Sequence, residues 1–356
     1  MLKNLSSRNF GHLPSGESIE AWTLHGPGGL VVEVITYGAT ITRLFAPDRH
    51  GQLADVVLGF NGLESYLTGD ACFGALIGRV AGRISGGRFE LEGKTYNLAL
   101  NDSSNHIHGG VLGFDKRVWT VTPFEGPDGT SSLRMSYTSH DGEEGYPGEV
   151  KVTVTYSVTK SNDLLVESEA ETNQPTPLSL TQHSYFNLAG EGAGPIGDHE
   201  LQIHSDEFVL TDERMTLLGQ VRSVAGRGCD LRQPKRLKDA MPTLFQSHGD
   251  LYLVRKPVEN SSKSSCVPIA RLAHPESGRV LEVSTTETHM QLYTGASLKG
   301  TMKGKSGVAY ERHAGLCLEC EGYPDGVNTP SLGDILLRPN HPRRTITNYA
   351  FCTSSI

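Results

Sequence analysis

No stretch of about 18 consecutive apolar residues occurs in the 356-residue sequence, so nothing in it reads as a membrane-spanning helix. The opening segment MLKNLSSRNFGHLPSGES lacks the apolar core and small-residue cleavage site of a secretory signal. Lysine and arginine are nowhere clustered, and 32 of them stand against 40 aspartates and glutamates, a net charge of −8. Nucleic acid is therefore disfavoured as a partner, because its binders concentrate positive charge. Cysteine is sparse too. The six, at positions 72, 229, 266, 317, 320 and 352, are too few and too scattered for the disulfide framework of a small secreted domain. These absences together make a cytoplasmic protein with reduced thiols the expectation.

Helical periodicity is equally scarce, confined to GLESYL (62–67) and AMPTLFQS (240–247). Turn chemistry is abundant instead: there are 41 glycines and 18 prolines, and glycine at about 12% compares with a typical usage near 7%. Between the turns lie strands. In KVTVTYSVT (151–159), Val152, Val154, Tyr156 and Val158 alternate with threonine and serine, the period of a half-buried strand. DLLVESEAET follows after a short turn and alternates again, so the two read as a hairpin. Similar strands fit GLVVEVITYG, RFELEGKTY, SLRMSYTS, HELQIHSDEFVLTD, RVLEVSTTETHMQLYTG, GLCLEC and RTITNYAF. No long linker divides the chain, although VENSSKSSCVP (258–268) reads as an exposed loop. The expectation is all-β, one large antiparallel β-sandwich domain over residues 1–356.

Several motifs that would carry chemistry fail on inspection. As a strand, GLCLEC turns Leu316, Leu318 and Cys320 to one face and Cys317, Glu319 and Glu321 to the other. The two thiols then diverge, and a redox or zinc pair needs them to converge. NHIHGG places His106 and His108 before a glycine pair, but a cupin-like metal site would add a carboxylate four residues after the second histidine, where Leu112 stands. Metal is disfavoured on that spacing. GTMKGKSG lacks the leading glycine of a phosphate loop, Lys299 being there, and no Gly-x-Ser-x-Gly elbow offers a nucleophilic serine. Arg79 and Arg83, in the glycine-rich IGRVAGRISGG, suit either a salt bridge or a ligand's hydroxyls.

Taken together, YGATITRLFAPDRHG, VVLGF, IGRVAGRI, NHIHGGVLGFDKRVW, GEEGYPGEV, LTQHSYFNLAG, MQLYTG and CLECEGYPDGVN resemble, in order and spacing, the aldose 1-epimerase (galactose mutarotase) family. The resemblance covers nearly the whole chain. It implies a galactose mutarotase-type β-sandwich that interconverts the α and β anomers of a free aldose such as glucose or galactose, with no cofactor and no metal. It further implies His183 as general acid and Glu319 as general base, with Arg83, His108, Tyr185, Asp250 and Gln291 binding the sugar. The substrate is then a monosaccharide and the protein a monomer or homodimer. Three departures bear on substrate preference: Gly82 and Gln182 stand where the family usually has asparagine, and Asp250-Leu251-Tyr252 where it tends to read Asp-His-Asn. A glycosidase would need two carboxylates across the scissile bond, where this chain offers histidine and glutamate. A non-catalytic carbohydrate-binding relative, or an epimerase of another aldose or of a hexose phosphate, is the alternative. The acidic charge balance gives the phosphate no support.

Overall fold

A computed structural model describes residues 3–69, 71–126, 128–254 and 266–354. Most of the loop read at 258–268 lies outside the described residues. The alternating segments form strands as their pattern requires. In Val150–Val158 the side chains of Val152, Val154, Tyr156 and Val158 are buried. The chain returns as Asp163–Thr172, pairing Val152 with Ala170 and Tyr156 with Val166.

This hairpin belongs to a nine-stranded antiparallel sheet. Its spatial order is Thr120–Glu125, Ser131–Ser139, Val150–Val158, Asp163–Thr172, Arg343–Thr353, Arg279–Thr285, Val267–Ala273, Glu200–Ile203 and Lys235–Arg236. The strand latest in the chain, Arg343–Thr353, therefore lies inside the sheet, hydrogen-bonded to Asp163–Thr172 on one side and Arg279–Thr285 on the other. Two five-stranded sheets pack against it. One is a meander of Leu5–His12, Ser18–His25, Val31–Ile35, Thr40–Pro47 and Leu53–Asp55; the other runs Leu217–Ser223, Glu207–Thr211, Leu251–Leu253, His289–Tyr293, Cys317–Glu321. A single apolar core joins all three, with Val154 and Tyr156 beside Val32, Leu44, Met290, Leu318 and Cys320. The all-β sandwich is thus the observed fold. Among the described residues helix is confined to short turns such as Leu63–Thr68, and no helix is long and apolar enough to cross a membrane.

Three segments that read as single strands are each two: RFELEGKTY is a hairpin of Arg88–Leu91 and Lys94–Asn97, and the other two pass between sheets. HELQIHSDEFVLTD splits into Glu200–Ile203 in the nine-stranded sheet and Glu207–Thr211 in a five-stranded one. RVLEVSTTETHMQLYTG splits likewise into Arg279–Thr285 and His289–Tyr293. At each corner a hydroxyl replaces the interrupted ladder: Ser205 Oγ donates to Leu253 O, and Thr285 Oγ1 accepts the Glu287 N–H. Strands that bend from one layer into another keep their side-chain alternation across the bend, so the pattern does not mark the break.

Candidate active site

Strand Cys317–Glu321 has core on one face and cavity on the other. Leu318 and Cys320 join the central core, while Glu319 and Glu321 line a cavity of about 870 Å³. The neighbouring strand repeats the division, Met290 and Leu292 inward and Gln291 outward, with Gln291 directly opposite Glu319. The parity argument on the two cysteines holds: Cys317 is on the cavity side and Cys320 in the core, and none of the six cysteines forms a disulfide.

His183 reaches the same cavity from a different segment. Thr181–Gln182 pairs with Leu76–Ile77, and the chain beyond it delivers His183 and Tyr185 to the cavity and Phe186 to the core. His183 Nε2 lies 3.4 Å from Glu319 Oε2, with side-chain exposures of 5% and 4%. That separation is longer than a tight hydrogen bond. On its other side, His183 Nδ1 lies 3.5 Å from Cys317 Sγ. Burial pushes the Cys317 thiol well above its ordinary range, so it is neutral there. Burial also raises the Glu319 carboxyl, opposed by the nearby His183 and Arg83. Tyr185 packs edge-on against Phe73 and flanks the His183 ring at 5.2 Å, which fixes the imidazole in an aromatic wall.

The rim is held by backbone as well as side chains. His108 has φ +53°, a left-handed conformation that turns its ring back over the cavity. Its Nδ1 accepts the Gly82 N–H at 3.2 Å, which leaves Nε2 to carry the proton and face outward as a donor. Burial, His183 and Arg83 hold the ring well below the ordinary histidine range, so it stays neutral. Arg83 Nε donates to Asp102 Oδ2 at 2.6 Å, and both line the cavity. His106, one residue from His108, is instead fully buried, between Ala99 O and the Tyr146 hydroxyl. Arg79 is buried too, bonded to Ser139, His140 and Pro147, and serves the scaffold.

His108, His183 and Glu319 each offer a ligand atom, and these lie within 4.8 Å of one another. The spacing argument made at Leu112 has no bearing on this trio, which is assembled from three distant segments. The three atoms face one small volume, which a substrate oxygen could fill by hydrogen bonds to each.

The structure does not bring Asp250 to this group. Its backbone O accepts the Leu292 N–H, placing it on the side of the strand opposite Gln291, and it is absent from the cavity lining. Burial lifts its carboxyl to about 6. The cavity position of that segment belongs to His248, two residues earlier, whose ring packs at a tilt against Tyr293, 4.4 Å between centroids, and whose Nδ1 has no hydrogen-bond partner among the described residues.

A sequence model of aldose 1-epimerase matches residues 20–350. The chain belongs to the aldose 1-epimerase family. It is 44% identical over 344 residues to the galactose mutarotase of Rattus norvegicus, covering 96% of this chain and 97% of that one. The aldose 1-epimerase of Escherichia coli K12 is 31% identical over 345 residues, covering 95% and 96%. Among solved structures, a GalM/aldose epimerase homologue from C. elegans superposes with a TM-score of 0.84 at 29% identity, covering 92% of this chain and 97% of that one. The galactose 1-epimerase of Lactobacillus acidophilus gives 0.84 at 25% identity over the full length of both chains.

Two departures from the family's usual residues are explained by the fold. Gln182 is buried away from the cavity, donating to Gly74 O and accepting from Ser184 Oγ. Gly82 has φ +70°, and a Cβ there would come within 2.5 Å of Pro324 Cγ. The Tyr252 side chain faces the core and bonds Cys229 O. Sequence reasoning missed Asp102, His248 and Tyr293 as cavity residues. Asp102 had no signal, being an ordinary turn aspartate; Tyr293 shares Gln291's strand face, and alternation would have found it.

Proposed function

We propose that this protein is an aldose 1-epimerase that interconverts the α and β anomers of a free monosaccharide, with His183 as general acid and Glu319 as general base. One observation carries the roles: a histidine and a glutamate, both nearly fully buried, face each other at 3.4 Å inside a cavity lined by hydrogen-bonding groups. Glu319 takes the proton of the C1 hydroxyl while His183 delivers one from Nε2 to the ring oxygen. The C1–ring oxygen bond breaks and the aldehyde C=O forms. Rotation about C1–C2 presents the other face, and the two residues then reverse their transfers, so each ends as it began. The raised Glu319 carboxyl is a stronger base than an exposed glutamate, which suits proton removal near neutral pH.

Arg83, anchored by Asp102, and neutral His108 hold ring hydroxyls, Gln291 supplies an amide beside Glu319, and Tyr185 offers an apolar wall. These contacts put the acid and base in register with the ring. No step calls for a cofactor. We place the protein in the cytoplasm, its six unbridged cysteines being in keeping with a reducing compartment, and expect a monomer or homodimer.

Polarimetry of freshly dissolved α-galactose, α-glucose and α-xylose, with and without exhaustive chelation, tests the reading. Acceleration unaffected by chelator is expected. A rate equal to the buffer blank with every aldose would favour a carbohydrate-binding relative, and activity restored only by added zinc or manganese would refute the cofactor-free reaction.

A further inference from the structure

The roles above use one carboxylate, and the cavity contains a second. Glu321 lies two residues beyond Glu319 on the same strand face, displaced along the strand by about 7 Å. It lines the cavity, is 1% exposed, and its Oε2 has no hydrogen-bond partner among the described residues. His289 stands opposite it in the neighbouring strand, yet bonds Thr288 through Nδ1 and leaves Nε2 equally unpartnered. Gly82 puts no side chain beside Glu321: the place of its missing Cβ is 3.4 Å from Glu321 Oε1. Native interiors rarely leave a buried carboxylate oxygen unpaired, and one that opens on a ligand cavity is suited to a polar atom of that ligand. Burial, with Glu319 and Glu287 nearby, pushes this carboxyl well above the ordinary glutamate range, while Arg83 opposes. Held neutral, it can donate as well as accept.

We propose that Glu321 is a further substrate contact, binding a sugar hydroxyl on the side of the ring opposite C1 and so setting which aldoses the cavity prefers. The proposal rests on the epimerase reading above. With C1 and the ring oxygen between Glu319 and His183, the hydroxyls across the ring are those on C3 and C4. The second of these is where glucose and galactose differ.

The test is mutarotation of galactose, glucose and their 2-, 3-, 4- and 6-deoxy counterparts by wild type, Glu321→Ala and Glu321→Gln. Glu321→Ala is expected to raise KM for the parent sugars about three- to tenfold, the effect of one lost hydrogen bond. That penalty should vanish for the 3-deoxy or the 4-deoxy sugar and persist for the 2- and 6-deoxy sugars. Glu321→Gln keeps the shape and a donor, and its KM should rise less. If Glu321→Ala does not fold by circular dichroism, Glu321→Gln against the deoxy series decides on the same criterion. An unchanged KM for the parent sugars, a penalty equal for every deoxy sugar, or one that vanishes only at C2 or C6 overturns the proposal. Wild type inactive on every aldose would bring down the epimerase reading and this one with it; active wild type with any of those flat patterns brings down this one alone.

Discussion

Replacing Glu319 by glutamine keeps the side chain's shape and removes its basicity. With His183 Nε2 at 3.4 Å and both groups nearly fully buried, a bound sugar leaves no other carboxylate of the described residues in contact with His183 to substitute as base. Turnover should fall about 10²- to 10⁴-fold, equivalent to about 2.7–5.4 kcal/mol of barrier. KM should move far less, because the amide can still bond the C1 hydroxyl and the other contacts remain. His183→Asn should do comparable damage, and the double variant should be only slightly worse than either, since acid and base act as one unit. The same substitution has a stability signature of opposite sign. Burial raises the Glu319 carboxyl above the ordinary glutamate range, so the folded state holds this proton more tightly than the unfolded chain. Wild-type stability therefore declines as pH rises from the unfolded glutamate value through the raised folded one, and the glutamine variant escapes that decline. At pH 8 the inactive variant should melt at a higher temperature than wild type, with the gap closing toward pH 4. Polarimetry with a buffer blank at each pH, paired with circular dichroism melts, measures both. More than about a tenth of wild-type turnover in a folded Glu319→Gln protein would refute the role as base, and a lower melting temperature at pH 8 would refute the dominance of burial.

Asp250→Asn should leave KM and turnover unchanged and should stabilise the protein above about pH 6, where wild type carries a buried carboxylate, while His248→Ala should raise KM severalfold; kinetics of the two variants side by side distinguish which residue serves the cavity. Lys305 Nζ, 3% exposed, bonds Asp55 at 2.7 Å together with Thr42 O and Val57 O. Lys305→Met should cost about 3–5 kcal/mol by denaturant titration, with partial recovery on adding Asp55→Leu, because the buried carboxylate is left with the more distant Arg43 guanidinium, 3.8 Å away, as its counter-ion. Cys320→Ser should lower stability by about 1 kcal/mol with turnover unchanged, the core hydroxyl finding Thr285 and Thr347 beside it.

Where a fact depends on alternation, the sequence carries it. The Val150–Val158 hairpin, the divergence of Cys317 from Cys320, and the delivery of His183 with Tyr185 to one side all follow from period two, because core packing punishes a slip of one residue by exchanging the faces. Where a fact depends on a corner or a loop, alternation is silent. The passages from Ile203 to Glu207 and from Thr285 to His289 cross between sheets with no change of pattern. Asp250, expected only through the family resemblance, lies away from the others for a related reason: the cavity position of its segment is taken by His248, which precedes the strand proper and whose direction is set by the loop around Gly249. A glutamate on the strand face opposite the core is ordinarily solvated, yet Glu319 is not. All five residues of its strand are buried, because loops carrying His108, His183 and Lys299 enclose the outer face as well.

The place of Arg343–Thr353 inside the nine-stranded sheet has a consequence for biosynthesis. Until residue 353 has been made, Asp163–Thr172 and Arg279–Thr285 have no common partner, and each presents a bare edge to the cell. The hairpins from 120 to 172 can zip as they emerge, but the two halves of the sheet stay unlinked. From residue 172 until residue 343 is made, a nascent chain of this protein thus carries at least one bare sheet edge, and two once Arg279–Thr285 has emerged. Removing as few as a dozen residues around 343–353 would abolish the seam between them, so nonsense or frameshift changes late in the message should be as damaging as early ones. Such products should appear in the aggregate fraction, with no partially active enzyme recovered.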